Sequence, residues 1–283
     1  IQDSKLLNLK GSVYMFKTDD KIIEICMAIS FLIVTMYGVM MFFDPNYILS
    51  RYDSGTNPDE YTMLVFITWF GMFNLGAAAG IIYMGYKGLD RAYFAYVIPL
   101  LVLLIYWNLS PAEQSGNYTG VTLLSINLLA LLIARYRSGF GNPFNIPKAD
   151  QMWGVSDGIT KGLLWLALIG QSVNVLIYIV DPGNLINNTG FLEMSANAQH
   201  FAFGMMLISI AWIITLLFQL RTGLSMTMVV VALVISTLWW VLAMNFLIAN
   251  NFETEGGNML LAVTININFF ASLIIFFRNQ SNF

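Results

Sequence analysis

The sequence predicts an all-α, polytopic integral membrane protein whose eight transmembrane helices form two parallel four-helix repeats. Three observations lead to this prediction. Of the 283 residues, 58% are hydrophobic and only 10% are charged, whereas about 25% of a typical soluble domain is charged. Eight apolar segments follow one another along the chain, and their basic flanks fall on one side. One constant offset, which carries Asp44 onto Asp181, relates the first four segments to the last four.

The apolar segments have the length and composition of membrane spans. Most of them can cross a hydrocarbon core of about 30 Å; the fourth is the shortest. Backbone polar groups in lipid must be satisfied within the protein, so we expect helices, and the alternating pattern of a membrane barrel is absent. The predicted spans are 22–43, 61–86, 92–109, 120–134, 162–180, 198–220, 225–249 and 259–277.

The charged residues support this division into spans. If the chain crosses the membrane at every segment, 12 of the 13 Lys and Arg residues lie on the side of the N-terminus, and Arg51 alone lies on the other. Both termini are therefore predicted on the cytoplasmic, stromal or matrix side. We expect the opposite, acidic face to be a solvated surface, or alternatively a docking surface for a basic partner or cations. Its acidic residues are Asp44, Asp53, Asp59, Glu60, Glu113, Asp181, Glu193, Glu253 and Glu255.

Polar landmarks recur at this one offset and define the domain organisation. An even number of spans gives both units the same orientation, with a pseudo-two-fold axis along the membrane normal. The matching pairs are Asp44-Pro45 with Asp181-Pro182, Asn108 with Asn245, and Gly120 with Gly257. We predict an N-terminal tail (1–21), two four-helix units (22–135 and 161–278), a Gly- and Pro-rich linker on the positive side (136–160) and a C-terminal tail (279–283).

Each unit has a recognisable order of features. A long first span ends at Asp-Pro, because proline cannot continue a helix and restrains the residue before it. In the first unit, a small-residue-rich second span, a tight basic turn from Lys87 to Arg91, a third span and a glycine-opened fourth span follow. This order resembles the four-helix membrane proteins grouped around DoxX. The resemblance covers most of each unit but implies no general activity and no functional residue.

A small-residue face in the second span predicts close helix packing. Gly71, Gly76 and Gly80 would let another helix approach. We expect packing within the bundle, and the alternative is contact with another subunit or a flat ligand. The matching positions of the sixth span, Ile213 and Leu217, are large, so the two units differ here.

Amides inside the spans are candidate ligands or solute contacts. We expect most of these amides to hydrogen-bond across helices. They include Asn74, Asn108, Asn127, Gln171, Asn174, Asn245, Asn266 and Asn268. Asn108, Asn245 and the single histidine, His200, are the candidate cofactor-binding residues, although we expect His200 to be interfacial. Aromatic residues, among them Trp239, are candidates for interface belts. We expect them to contact lipid and fill gaps between helices, and the alternative is a bed for carotenoid, chlorophyll or quinone. Lipids are the other expected ligands.

Several function classes lack their residues in this sequence. No Asp, Glu, Lys, Arg or His lies near the middle of a predicted span, although proton-coupled carriers and pumps normally need one. The sequence shows no catalytic motif, so we predict no catalytic residue and no metal site. Cys26 is the single cysteine and is expected in the core. A net charge of −3 gives no reason to expect nucleic acid.

These observations favour a non-enzymatic membrane subunit. We expect it to be a structural or accessory component of a larger assembly with other membrane subunits, such as a photosynthetic or respiratory supercomplex. The chain opens on Ile1, and if a presequence has been removed we expect an organelle membrane. The main alternative is a carrier or channel for a small neutral or lipid-like solute, with Asn108 and Asn245 facing a cavity between the units. A third hypothesis is a membrane enzyme that uses a bound quinone or metal supplied from elsewhere.

Overall fold

The computed structural model describes residues 18–50, 60–109, 118–140, 154–180, 196–249 and 256–279. Most of the predicted tail 1–21, the centre of the linker 136–160, the Asp181-Pro182 pair and the tail beyond residue 279 lie outside these ranges. Over the described residues the chain is helical and has no strand. The helices are α1 (Lys21–Phe43), α2 (Pro45–Leu49), α3 (Glu60–Lys87), α4 (Arg91–Leu109), α5 (Thr119–Arg137), α6 (Gly158–Val180), α7 (Ala196–Thr222), α8 (Met226–Ala249) and α9 (Gly256–Arg278).

Several helices have the length and surface of membrane spans. Among the described residues, five stretches are long and apolar enough to cross a bilayer: Lys21–Phe43, Met63–Lys87, Thr119–Arg137, Ala202–Thr222 and Met226–Asn245. The exposed side of α1 carries large apolar side chains, including Ile25, Leu32 and Phe43. Such a face is stable against lipid tails and unfavourable against water. The predicted class, a helical integral membrane protein, is therefore confirmed.

Side-chain caps explain where the helices begin and end. Helix α1 ends at Phe43 as predicted, and the Asp44 carboxylate then accepts the Tyr47 N–H at the start of the short α2. Helix α6 begins at Gly158, four residues before the predicted span, because Asp157 Oδ2 accepts the Thr160 N–H at 2.8 Å. An N-cap satisfies a donor that the first helical turn leaves unpaired, so polar residues extend the helix beyond its apolar run.

The helices pack in two corresponding patterns. In the first half of the chain, α1 contacts α3 and α5, and α4 contacts α5. In the second half, α6 contacts α7 and α9, and α8 contacts α9. The two halves meet where α3 packs on α8 and α4 packs on α7, with α3 also touching α7. We call this contact of α3 and α4 with α7 and α8 the seam.

Candidate functional site

Glycines of α3 bring the backbones close together at the seam. A Cβ atom at Gly76 would lie 2.5 Å from Ile235 Cγ1 and 3.2 Å from the Val231 carbonyl oxygen of α8. A Cβ at Gly80 would lie 2.7 Å from Val231 Cγ2. These distances leave no room for a larger residue without movement of α8. In this chain, therefore, Gly76 and Gly80 lie against the other half of the same bundle.

Gly71 lies against a different helix. A Cβ at this position would lie 2.6 Å from the Phe42 backbone nitrogen and 2.9 Å from the Met41 carbonyl carbon, both in α1. One turn of helix along, Leu75 packs on Gly38 of α1. The small residues of α3 thus serve two contacts, one with α1 and one with α8.

Aromatic side chains fill the seam on both sides. Trp69 of α3 contacts Trp239 of α8 edge to face, with ring centroids 5.4 Å apart. Tyr96 of α4 contacts Trp212 of α7 in the same manner at 5.3 Å. Each such pair adds about 0.5–1.5 kcal/mol beyond its buried area. The contact of Trp239 with Trp69 between the two halves of the bundle fits the expected gap-filling role of the aromatic residues.

A polar contact joins the halves at one end of the seam. Ser225 Oγ donates a hydrogen bond of 2.7 Å to Asp90 Oδ2. Asp90 Oδ1 also accepts the Ala92 N–H at the start of α4, and Ser225 Oγ accepts the Met228 N–H at the start of α8. The contact therefore fixes two helix N-termini against one another.

Two ion pairs close the bundle at the same end. Asp20, the N-cap of α1, accepts from Arg137 Nε of α5 at 2.6 Å. Asp157, just before α6, accepts from Arg278 Nε of α9 at 2.8 Å and from a second Arg278 nitrogen at 2.9 Å. The hydrogen bond from Arg278, followed by those from Thr160, holds the pKa of Asp157 well below its usual range. Arg137, with help from the Ile22 and Ile23 amides, lowers the pKa of Asp20.

A cavity of about 60 Å³ lies mostly within the second half of the bundle, among α6, α7, α8 and α9, and Phe73 of α3 also lines it. Most of its wall is apolar and includes Trp212 and Trp239. None of the described residues that line it carries a formal charge. Its polar lining consists of Gln171, Ser209, Gln219, Ser236, Asn268 and Ser272. Drug-sized and cofactor pockets are usually about 300–1,000 Å³, so this cavity is too small for a chlorophyll or a quinone.

The residues predicted as candidate ligands or solute contacts differ in their exposure and hydrogen-bond partners. Asn245 is exposed and does not line the described cavity. The side chains of Asn108 and His200 lie outside the described residues. Asn74 Nδ2 donates to the Phe70 carbonyl of its own helix, so the expectation of a bond across helices fails there. That expectation is met by Asn266, which accepts from Trp240 Nε1 of α8 at 3.0 Å. Cys26 is buried, as predicted.

Sequence reasoning missed the cavity and the ion pairs, although the sequence carried a signal for the ion pairs. Asp20 and Asp157 are related by the same offset as the other landmarks. Asn127 and Asn268, which are both buried, each precede the arginine of an ion pair by ten residues. These matching residues are polar and lie at helix ends or at single polar positions within helices. A comparison of the apolar segments alone does not detect them.

The fold and the site together define a class of protein. It is a helical integral membrane protein with a close-packed seam and a small uncharged cavity. Among the described residues, no group of three or more His, Cys, Asp or Glu side chains could hold a metal ion. Comparisons with protein-family models, curated proteins and solved structures give no match for this chain.

Proposed function

We propose that this chain is a non-enzymatic integral membrane subunit that serves as a structural or accessory component of a larger membrane assembly. It would comprise eight spans, with both termini on the positive face. The single observation that carries the proposal is the seam. Glycine contacts at Gly76 and Gly80 and the Trp69–Trp239 pair fill the space where a solute path between two units would run.

The packing pattern supports a duplicated scaffold. In the described part of the chain, each half has four long helices if the short α2 is left out. Within each half, the first long helix contacts the second and fourth, and the third contacts the fourth. Across the seam, the second helix of each half meets the third helix of the other. The caps Asp20 and Asp157 match at the common offset, whereas the turns that contain Gly88 and Gly223 match at an offset shorter by two. When α3 and α7 are aligned at this shorter offset, Gly76 pairs with Ala211 and Gly80 pairs with Thr215. At that spacing, both second helices carry small residues four apart.

The carrier hypothesis receives less support. Transporters built from two repeats usually move one repeat against the other around a site between them. Here the interface between the halves is tight, and its aromatic pairs and the Asp90–Ser225 hydrogen bond would have to break for such movement. Asn245, proposed to face a central cavity, is exposed.

Mass and absorbance of the native particle test the proposal. The protein would be extracted from its own membrane in a mild detergent and measured by native mass spectrometry. A subunit is expected in a particle far heavier than the 31.8 kDa chain, with other membrane proteins present. Absorbance from chlorophyll or carotenoid would indicate a photosynthetic host. A colourless particle of monomer or dimer mass that speeds solute flux into liposomes would support the carrier instead.

A further inference from the structure

The cavity in the second half of the bundle contains a buried donor that the fold does not use. Asn268 is 9% exposed and lines the cavity. Its Nδ2 has no hydrogen-bond partner among the described residues. Buried polar atoms are almost always paired, and one that is not calls for an explanation such as a bound molecule.

Acceptors are available on the same walls. Ser209 Oγ donates to the Met205 carbonyl at 2.9 Å, and Ser236 Oγ donates to the Leu233 carbonyl at 3.2 Å. Each hydroxyl oxygen keeps lone pairs after its proton is used in this way. Both serines line the cavity with Asn268. The walls therefore offer one amide donor and at least two hydroxyl acceptors in an apolar surround.

The uncharged lining and the small volume of the cavity limit the kinds of ligand that it can bind. A charged molecule in this cavity would lose its hydration without gaining an opposite charge from the described lining, which is strongly unfavourable. Because one water needs about 10–15 Å³ of cavity space, a volume of about 60 Å³ admits a few waters or one molecule of a few heavy atoms. Asn268 lies ten residues before Arg278. At 1.5 Å per residue, this places it about 15 Å from the end of the helix, well inside α9.

We propose that this cavity is a binding site for a small neutral molecule that carries a carbonyl or hydroxyl oxygen, which accepts a hydrogen bond from Asn268 Nδ2. The serine oxygens accept from the donor groups of the same molecule. Trp212 and Trp239 provide apolar contact on the walls. The site lies mainly in the second half of the bundle, and binding there does not depend on the proposed role in an assembly.

Acetamide and acetate form a matched pair of probes for this site. They have nearly the same shape, but only acetamide is neutral and has both a carbonyl acceptor and N–H donors. Binding to the purified full chain in detergent would be measured by saturation-transfer NMR of the probe methyl protons, titrated to a dissociation constant. Saturable binding of acetamide is expected, and none of acetate. Equal binding of both probes, or no saturable binding of acetamide, would overturn the proposal; the second result would leave only water in the cavity.

Two variants locate the binding. Asn268→Leu removes the donor, and the dissociation constant of acetamide should rise about three- to tenfold, the effect of one lost hydrogen bond. Asn127→Leu is the matched control, because Asn127 is also a buried amide but does not line this cavity. It should bind acetamide as the wild type does. An unchanged constant for Asn268→Leu would overturn the proposal.

A variant that fills the cavity provides a second test if Asn268→Leu does not fold. Folding would be judged by circular dichroism and size-exclusion chromatography. Ala232 lines the cavity, and Ala232→Leu keeps the amide while it occupies the space. This variant should lose saturable acetamide binding. Binding that survives the filling would place the acetamide elsewhere and overturn the proposal.

Discussion

Asp90 and Ser225 each cap a helix and are hydrogen-bonded to one another across the seam. Each follows a glycine and a leucine, and the glycines Gly88 and Gly223 have φ of 108° and 114°. Only glycine adopts this left-handed backbone readily, so both turns need it. The two tight turns therefore place their caps in contact and set the relative position of α4 and α8.

Loss of the Ser225 hydroxyl should destabilise the protein. Ser225→Ala removes the cap of α8 and leaves Asp90 Oδ2 without this donor. The expected loss is about 2–3 kcal/mol, from one cap and one charge-assisted hydrogen bond. Thermal unfolding in detergent checks the difference. Thr222→Ala is the control, because the Thr222 hydroxyl bonds only its own helix, at the Phe218 carbonyl, and its loss should change little. Equal effects of the two variants would contradict this role of Ser225.

Replacement of the α3 glycines by alanine should destabilise the protein. Gly71→Ala places a methyl against the α1 backbone, which cannot move aside as a side-chain end can, and should cost about 2–3 kcal/mol. Gly76→Ala meets mainly the Ile235 side chain and should cost less. Gly162→Ala in α6 meets nothing within 4 Å and should be neutral or stabilising by up to about 1 kcal/mol. Unfolding midpoints rank the three, and any other order would count against the contacts of Gly71 with α1 and of Gly76 with α8 as described.

Two tyrosines of α4 should respond oppositely to the loss of their hydroxyls. Tyr93 OH donates to the Ala77 carbonyl at 3.2 Å, so Tyr93→Phe should cost about 1 kcal/mol. Tyr96 OH is buried without a partner among the described residues, so Tyr96→Phe should be neutral or stabilising by about 1 kcal/mol. Each variant is the control for the other in the same unfolding assay. Two losses of similar size would mean that Tyr96 has a partner.

Acid should weaken the ion pair that closes the second half. The pKa of Asp157 lies below its usual value of about 4 because of Arg278, so the folded state favours the carboxylate. This contribution is complete above the unfolded pKa and is lost as pH falls through the folded pKa. Asp157→Asn should therefore lower the Tm above about pH 5, and the difference from wild type should shrink below about pH 4. Asp19→Asn, at an exposed neighbour of the other ion pair, should show no such convergence.

The sequence predicted the class of fold and several helix ends. Composition and spacing sufficed for membrane helices, and the Asp44-Pro45 pair marked the end of α1. Helix starts such as Gly158 were missed because a cap such as Asp157 extends a helix into polar sequence.

The site could not be predicted in the same way. That Gly76 packs on α8 rather than on another subunit depends on long-range packing, which a list of spans does not contain. Nothing in the local sequence distinguishes Asn268, which lines the cavity, from Asn127, which does not. Composition indicated that aromatic residues such as Trp239 fill gaps between helices, but not that Trp239 pairs with Trp69 across the seam.

The Asp20–Arg137 and Asp157–Arg278 pairs mean that each half of the bundle begins and ends at one place. A unit with this property can be copied in tandem without rethreading any helix through the bilayer, because the second copy starts on the side where the first one finishes. It also suits circular permutation, since a short peptide could join the old ends.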